Sequence, residues 1–404
     1  MRLPAARLED WLRDYYFTAE IDISSSGVHS YSMAELRAMT GLDHAEIDEL
    51  VFDDGYSLGT PAVRGHIARR WGDGDPSRVM TTSGSSEAIS LVLTALLRPG
   101  DEVVVVEPGY HALVAFAAGL GCATRTWRLD RARGWRPSLD ELAALVSERT
   151  KAIIVNFPQN PTGVSITEAE LRRLVAIAES AGPAESAREA AGASGAYLLF
   201  DAAFADLAYD APPLPDISTL YERGIGFGTF SKAFGLPGLR FGWCLAPPAV
   251  LAECVRIRDY TTLHVSPLVE LLALHVLRNA DACLEPRMKQ ARANRDLVRE
   301  WADAHPDLVS LVTPLGGVTA FPRLHGLADT HAFCDDLFTR RGVLVIPGSC
   351  FGAPEHIRLG FGGPAEPLAE GLDRLTAALT EWRRRPPDPA ADGDPAVDGE
   401  GHTR

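Results

Sequence analysis

Lysine is scarce in this 404-residue chain, since only three lysines occur and arginine supplies nearly all of the positive charge. The six cysteines are scattered without a C-x-x-C pair, and the histidines do not cluster, so no metal site is predicted and the thiols are expected to be buried and free. No apolar run is long enough to span a bilayer. The first residues lack the apolar core of a signal peptide, which predicts a cytoplasmic protein.

Basic patches are also missing. The formal net charge is −15, and this balance argues against a nucleic-acid partner, which would require clustered lysine and arginine. Hydrophobic residues make up 46% and charged residues 23%, as in an ordinary globular enzyme. The length exceeds that of a single simple core and fits a large domain joined to a smaller one.

Short apolar runs alternate with helical patterns between residues 80 and 250, which is typical of a mostly parallel sheet covered by helices in an α/β fold. The clearest predicted strands are 101–106, 151–156, 197–201, 226–230 and 241–245, and the predicted helices between them are 86–97, 112–120, 139–146 and 167–180.

Four regions follow from this pattern. We predict an N-terminal segment (1–48) that joins the small domain and the substrate mouth, a large cofactor-binding domain (49–275), a small domain (276–385) and a disordered tail rich in Pro, Asp and Gly (386–404). Further expectations are a surface loop or frayed helix end at 181–196, a long connecting helix at 267–304 that kinks or breaks at Pro286, small-domain strands at 311–322, 343–346 and 356–361, and a last helix at 364–385.

The strongest chemical signal is T-F-S-K-A-F-G-L-P-G-L-R-F-G, which follows a predicted strand. Lys232 offers an amine for a covalent bond to an aldehyde, and burial or neighbouring cations would let it lose its proton near neutral pH. Arg240 can bind a phosphate with two hydrogen bonds, and Thr229 and Ser231 can add hydroxyl donors. The segment therefore predicts a combined aldehyde and phosphate site.

This motif resembles the pyridoxal 5'-phosphate (PLP) site of class I and II aminotransferases, which have the fold type I architecture, and the resemblance extends over about residues 50 to 385. It implies PLP bound to Lys232, a large domain with a mostly parallel, seven-stranded-type sheet, a smaller α+β domain and a homodimer. Gly84, Ser85 and Ser86 open a predicted helix, where free amides favour a phosphate.

The resemblance also gives roles to single residues. Tyr110 would stack on the cofactor ring, Asn160 would hydrogen-bond the ring hydroxyl oxygen, and Asp201 would keep the ring nitrogen protonated. Arg358 would bind the α-carboxylate of the substrate. One departure is plain: the tyrosine that many relatives have three residues after the aspartate is Phe204 here, which should alter the pKa of the link between lysine and cofactor.

The segments L-P-A-A-R-L-E-D-W-L, I-D-I-S-S-S-G-V-H-S-Y, R-I-R-D-Y and G-G-V-T-A-F-P-R resemble those of PLP-dependent cyclases within this family that act on 3-hydroxyarginine. The implied enzyme removes water and closes a ring through the guanidine of the same molecule. Gly27 would lie at the substrate mouth, and His29 would protonate the departing hydroxyl. A group of acidic residues could bind the guanidinium, although a solvated helix face also explains most of them: Glu9, Asp10, Asp14, Glu20 and Asp22.

Three other functions share the same cofactor residues. The chain could be an ordinary amino-acid aminotransferase, or an arginine oxidase or hydroxylase that uses PLP and oxygen. A non-enzymatic PLP-binding regulatory domain is a third alternative. It is opposed by the absence of a helix-turn-helix pattern before residue 50 and by the presence of both Lys232 and Arg358.

Overall fold

The computed structural model describes residues 2–182 and 195–384, and a central sheet dominates them. In chain order the strands are β1 (Ile21–Asp22), β2 (Val79–Thr82), β3 (Glu102–Glu107), β4 (Ala123–Arg128), β5 (Thr150–Asn156), β6 (Tyr197–Asp201), β7 (Gly224–Thr229), β8 (Gly242–Leu245), β9 (Val309–Ser310), β10 (Thr319–Ala320), β11 (Arg323–Leu324), β12 (Val343–Leu344), β13 (Ile346–Pro347) and β14 (Ile357–Gly360).

Helices cover this sheet and build the second layer of the molecule. They are α1 (Arg7–Tyr15), α2 (Met33–Thr40), α3 (His44–Asp48), α4 (Pro61–Trp71), α5 (Ser85–Leu96), α6 (His111–Val114), α7 (Phe116–Gly119), α8 (Leu139–Leu145), α9 (Glu168–Ser180), α10 (Pro248–Arg258), α11 (Pro267–Arg278), α12 (Ala280–Ala304), α13 (His331–Arg341) and α14 (Ala365–Trp382). Within the described ranges, no helix is both long and apolar enough to cross a membrane.

The central sheet has seven strands in the order β2-β8-β7-β6-β5-β3-β4. β8 runs antiparallel to both of its neighbours, and the other neighbouring pairs are parallel. β3, β5 and β7 are almost wholly buried because helices cover both faces of the sheet. The predicted α/β fold with a mostly parallel sheet is therefore confirmed.

The five predicted strands of this sheet lie within two residues of the observed ones, but the two edge strands, β2 and β4, were not predicted. β4 lies at the edge of the sheet, and its sequence A-T-R-T-W-R is largely exposed or half-buried. Its apolar signal is correspondingly weak. The predicted helix 112–120 is in fact two short helices, α6 and α7, which meet at Ala115.

The connecting helix breaks, but not at Pro286. α11 ends and α12 begins around Asn279, and Pro286 lies inside α12. The side-chain amide of Asn279 donates to the carbonyl of His275 (2.9 Å) and to that of Thr40 (3.3 Å). It thereby satisfies a carbonyl at the end of α11 and ties the break to α2.

The prediction of one long strand at 311–322 was wrong as well. Within that range only β10 forms, and the residues before it include Pro314 and Gly317, whose φ is +70°. The chain turns there instead of staying extended. Both the loop predicted at 181–196, apart from its ends, and the tail predicted at 386–404 lie outside the described residues.

The N-terminal segment joins the layer formed by the C-terminal part of the chain. β1 pairs in parallel with β12, with Ile21 opposite Val343. In α1, Leu8 and Trp11 are buried, and the Trp11 Nε1–H donates to the carbonyl of Val345 at 3.0 Å. These contacts place the first turns of the chain over the cavity described next; the predicted domain boundaries themselves stay a prediction.

Candidate active site

A cavity of about 660 Å³ opens where the parallel strands of the central sheet end. Asn156 ends β5, Asp201 ends β6 and Thr229 ends β7, and all three line the cavity. The crevice at the carboxyl ends of parallel strands is where α/β sheets bind their ligands. Lys232, on the turn after β7, therefore lies among side chains from several strands.

Lys232 is held as a buried amine. Its Nζ donates a hydrogen bond to the Ser26 hydroxyl at 2.7 Å. Burial lowers the pKa of Lys232 to about 8, and the nearby charge of Arg358 adds to this effect. A useful fraction of the amine is therefore neutral near pH 7 to 8, as a bond to an aldehyde requires.

Asp201, at the end of β6, is the buried acidic residue of the cavity. Its side chain is buried, and one carboxylate oxygen accepts the Ala203 amide at 3.0 Å. Burial raises its pKa to about 6, and the hydrogen bond from Ala203 and the charge of Lys232 partly offset this. A buried carboxylate of this kind is stabilised by a cation, so it fits a protonated ring nitrogen.

The start of α5 and the guanidinium of Arg240 face each other. Gly84 precedes the helix with a φ of +83°, and a Cβ built there would lie 2.5 Å from Nη2 of Arg240. Arg240 itself has a left-handed φ of +53° and an exposed side chain. Since few arginines adopt this conformation, the backbone strain at Arg240 favours a functional cause. Helix amides from Ser85 onward and the guanidinium form a cradle that fits a phosphate.

Two hydroxyls complete this cradle. The Thr229 hydroxyl oxygen accepts the Ser231 amide at 3.1 Å and lies 3.0 Å from the Ser231 hydroxyl. Both residues line the cavity, as does Ser86 beside the helix start. The residues present therefore fit the phosphate and the aldehyde of PLP.

Arg358 and Asn160 form the other wall of the cavity. Nη1 of Arg358 donates to Oδ1 of Asn160 at 3.3 Å, and Nη2 donates to the carbonyl of Ser24 at 2.9 Å. Its buried Nε–H has no partner among the described residues. Burial lowers the pKa of Arg358 to about 10, which leaves it charged at neutral pH. A charged guanidinium with a free buried donor fits a carboxylate.

Aromatic rings border the space between these charges. Tyr110 immediately precedes α6 and lines the cavity, and burial raises its pKa. The Phe204 ring centre lies 6.0 Å from Nζ of Lys232. The side chain that replaces the family's tyrosine is therefore at the lysine, where it offers no hydroxyl.

The structure does not bring all predicted residues into the cavity. Gly27 packs on the lysine turn: the amide of Val28 donates to the carbonyl of Lys232 at 3.1 Å, and a Cβ at Gly27 would lie 3.0 Å from the Ser231 carbonyl oxygen. His29 is exposed and lines an adjoining cleft of about 160 Å³. Its catalytic role remains a prediction.

Some polar residues of the cavity were not predicted, and one of the predicted acidic residues lies in its lining. Ser26 and His111 line the cavity, but a lone serine and a lone histidine carry no sequence pattern. Nδ1 of His111 is buried without a partner in the described part of the chain. Of the five acidic residues proposed for the guanidinium, the cavity lining includes Glu9.

Comparison with known proteins agrees with this geometry. The model of the aminotransferase class I and II family matches residues 54–375, and the chain belongs to this family, whose cofactor is PLP. It is 47% identical to the capreomycidine synthase of Streptomyces vinaceus over 93% of this chain and 94% of that protein. It is 31% identical to the arginine–pyruvate transaminase AruH of Pseudomonas aeruginosa over 80% and 81% of the two chains.

A solved structure shows the same fold. The crystal structure of the PLP-dependent cyclase OrfR superposes with a TM-score of 0.85 and 42% identity, and the match covers 95% of this chain and 98% of that one. The predicted resemblance, the enzyme class and the cofactor are thereby confirmed: the chain is a PLP-dependent enzyme.

Proposed function

We propose that this enzyme removes water from (2S,3S)-3-hydroxyarginine and closes the product into capreomycidine, a step of peptide antibiotic biosynthesis. The observation that carries this proposal is the 47% identity to a capreomycidine synthase over 93% of the chain. The N-terminal segment contributes Glu9 and Ser26 to the cavity. The substrate is thus an amino acid with a guanidinium side chain.

Different residues of the cavity would bind the cofactor and the substrate. Lys232 would carry the cofactor, Asp201 its ring nitrogen, and Ser85, Thr229 and Arg240 its phosphate. When bound, PLP supplies an electron sink for the charge that develops at Cα. Arg358 would hold the α-carboxylate by its buried guanidinium and so orient the Cα–H bond toward the lysine.

Lys232 would move the proton at Cα. An amine whose pKa is about 8 can accept this proton and later return it near neutral pH. The C–O bond at Cβ breaks, a guanidine nitrogen forms a C–N bond to the same carbon, and one proton passes from that nitrogen to the departing oxygen. The net change is the loss of one water, so no oxidant, keto acid or second amino acid is consumed.

The proton that reaches the hydroxyl needs a carrier at the cavity. His111 lines the cavity beside Tyr110, with 4.4 Å between ring centres, whereas His29 lines the adjoining cleft. Burial lowers the pKa of His111, and the charges of Glu9 and Asp10 oppose this shift. We infer that one imidazole gives a proton to the hydroxyl and regains one from the guanidinium, and that His111 is better placed for this than His29.

Two matched variants test this assignment. We expect H111N to lower turnover about 100-fold, the scale of a lost general acid, and H29N to lower it less than about 10-fold. The measurement is single-turnover formation of the cyclic product, with the absorbance of the bound cofactor as a control for folding. The reverse ranking would return the role to His29.

The cyclase proposal is tested by the product. Enzyme loaded with PLP is incubated with (2S,3S)-3-hydroxyarginine without keto acid, and the expected product is lighter by one water and has a cyclic guanidine by NMR. K232A should lose both this product and the absorbance of the bound cofactor. Amino transfer only after pyruvate is added would make the enzyme a transaminase, and oxygen consumption with arginine would make it an oxidase or hydroxylase.

The assembly and location of the enzyme belong to the same proposal. We propose a cytoplasmic homodimer, as expected for fold type I enzymes. The support for the homodimer in this chain is a patch of exposed apolar side chains, formed by Val51, Phe52, Tyr56, Tyr260 and Leu263.

A further inference from the structure

We propose that Glu9 binds the guanidinium of the substrate and is the residue by which this enzyme selects a cationic side chain. The inference rests on the proposed function, because it takes a guanidinium amino acid as the substrate. It adds a binding residue that the cofactor chemistry does not use.

The geometry of α1 directs Glu9 to the cavity. At about 100° per residue, Glu9, Leu12 and Tyr16 fall on one side of the helical turn, and all three line the cavity. Trp11 lies on a neighbouring side of the helix, where its ring is buried and its Nε1–H donates to the carbonyl of Val345. The packing of α1 therefore fixes the direction in which the Glu9 carboxylate points.

The remaining four acidic residues of the original group are placed otherwise. Asp10 forms an ion pair with Arg13, and Glu20 pairs with Arg374 at 2.7 Å. Asp14 is exposed on the far side of α1, while Asp22 accepts hydrogen bonds from the amide and hydroxyl of Ser24. The Glu9 carboxylate has no ion pair or hydrogen bond to any other described residue, although the residue is half-buried.

The charges around the cavity make Glu9 the natural site for a cation. The acidic residues of its lining are Glu9 and Asp201, and Asp201 lies buried at the strand end where it would face the cofactor ring. Burial lowers the pKa of Lys232 and of Arg358, and the charge of Glu9 opposes both shifts, so its carboxylate is close enough to act on both cations.

The cavity that Glu9 lines is partly apolar. Leu3, Pro4, Leu12 and Phe116 also line it, so water is partly displaced there and an ion pair is worth more than on an open surface. A substrate held by its carboxylate on Arg358 and by its guanidinium on Glu9 would be held at both ends. This two-point binding would confine the guanidinium near Cβ, as ring closure requires.

The test compares two nearly isosteric ligands in two nearly isosteric proteins. L-arginine carries the cation and L-citrulline replaces it with a neutral urea, and neither has the hydroxyl that must leave. Binding to the PLP-loaded enzyme is measured from the absorbance change of the cofactor. Wild type and the control D14N, on the opposite face of α1, should bind arginine on the order of 10- to 100-fold more tightly than citrulline.

E9Q should reduce this preference for arginine to within about 3-fold, chiefly by weakening the binding of arginine. E9D should give an intermediate ratio of the two affinities. An arginine-to-citrulline ratio in E9Q equal to that of wild type would overturn the proposal. So would an equal loss in D14N, since that would reflect a general change in charge. The failure of the cyclase proposal is separate, because wild type would then form no cyclic product whatever the E9Q ratio.

Discussion

At the scale of single residues, burial rather than residue type decides the chemistry. Lys232 and Lys151 are both lysines, but of the two only Lys232 lines the cavity, where burial and the nearby charge of Arg358 lower its pKa. The S-K-x-x-G-L-P-G-L-R string made this residue predictable, as did the order of the other cofactor motifs. Ser26, Glu9 and His111 were not individually predictable, because each reaches the site only through packing of the N-terminal segment or of α6.

The lowered pKa of Lys232 predicts how the apoenzyme takes up its cofactor with pH. The neutral amine reacts with the aldehyde, so below a pKa of about 8 the rate should rise roughly tenfold per pH unit, and above it the rate should level off. The measurement is stopped-flow absorbance after mixing apoenzyme and PLP between pH 6 and 10.

Free N-acetyl-lysine methylamide serves as the control, because its amine keeps an ordinary pKa of about 10.4 and its rate should still rise at pH 10. R358L should move the midpoint for the enzyme upward, since the charge of Arg358 contributes to the lowered pKa of Lys232. A protein rate that follows the free amine across the whole range would contradict the prediction.

At the scale of elements, regular apolar patterns predicted the bounds of strands well. A helix break that depends on side-chain hydrogen bonds was not predicted. β6 was predicted to the residue because an all-apolar run ends at a polar Asp201. The helix break at Asn279 escaped prediction because it depends on an amide side chain that bonds both its own helix and Thr40, more than two hundred positions away in sequence. Proline alone was a poor guide to the break.

The first helix illustrates the same limit with a functional consequence. The alternation in L-E-D-W-L-R-D-Y shows an amphipathic helix, but not which of its polar residues faces solvent. Only the burial of Leu8 and Trp11 orients it, and this leaves Asp10 and Asp14 outside while Glu9 enters the cavity. The prediction of a solvated acidic face is therefore right for most of these carboxylates, but it does not identify Glu9 as the one that enters the cavity.

At the scale of the whole molecule, one exposed surface is unusually apolar. Phe52 is 73%, Tyr56 63% and Tyr260 93% exposed, and Val51 and Leu263 extend the same group. The two segments are neighbours in space, since Arg258 donates to the carbonyl of Ser57 at 2.8 Å and Gly55 packs on the ring of His264. We call these five side chains the apolar patch.

The apolar patch predicts where the proposed homodimer forms. Burial of a large apolar side chain contributes about 1.5 to 3 kcal/mol, so F52S/Y260S should weaken dimerisation at least about 100-fold. Sedimentation equilibrium should show wild type at twice the chain mass and the double variant largely as monomer at micromolar concentration. L315S, which alters an exposed leucine beside β10 and outside the patch, should remain dimeric. A monomeric wild type would contradict the homodimer itself. If the double variant were as dimeric as wild type, the apolar patch would contribute nothing to the association, and the interface would lie on another surface.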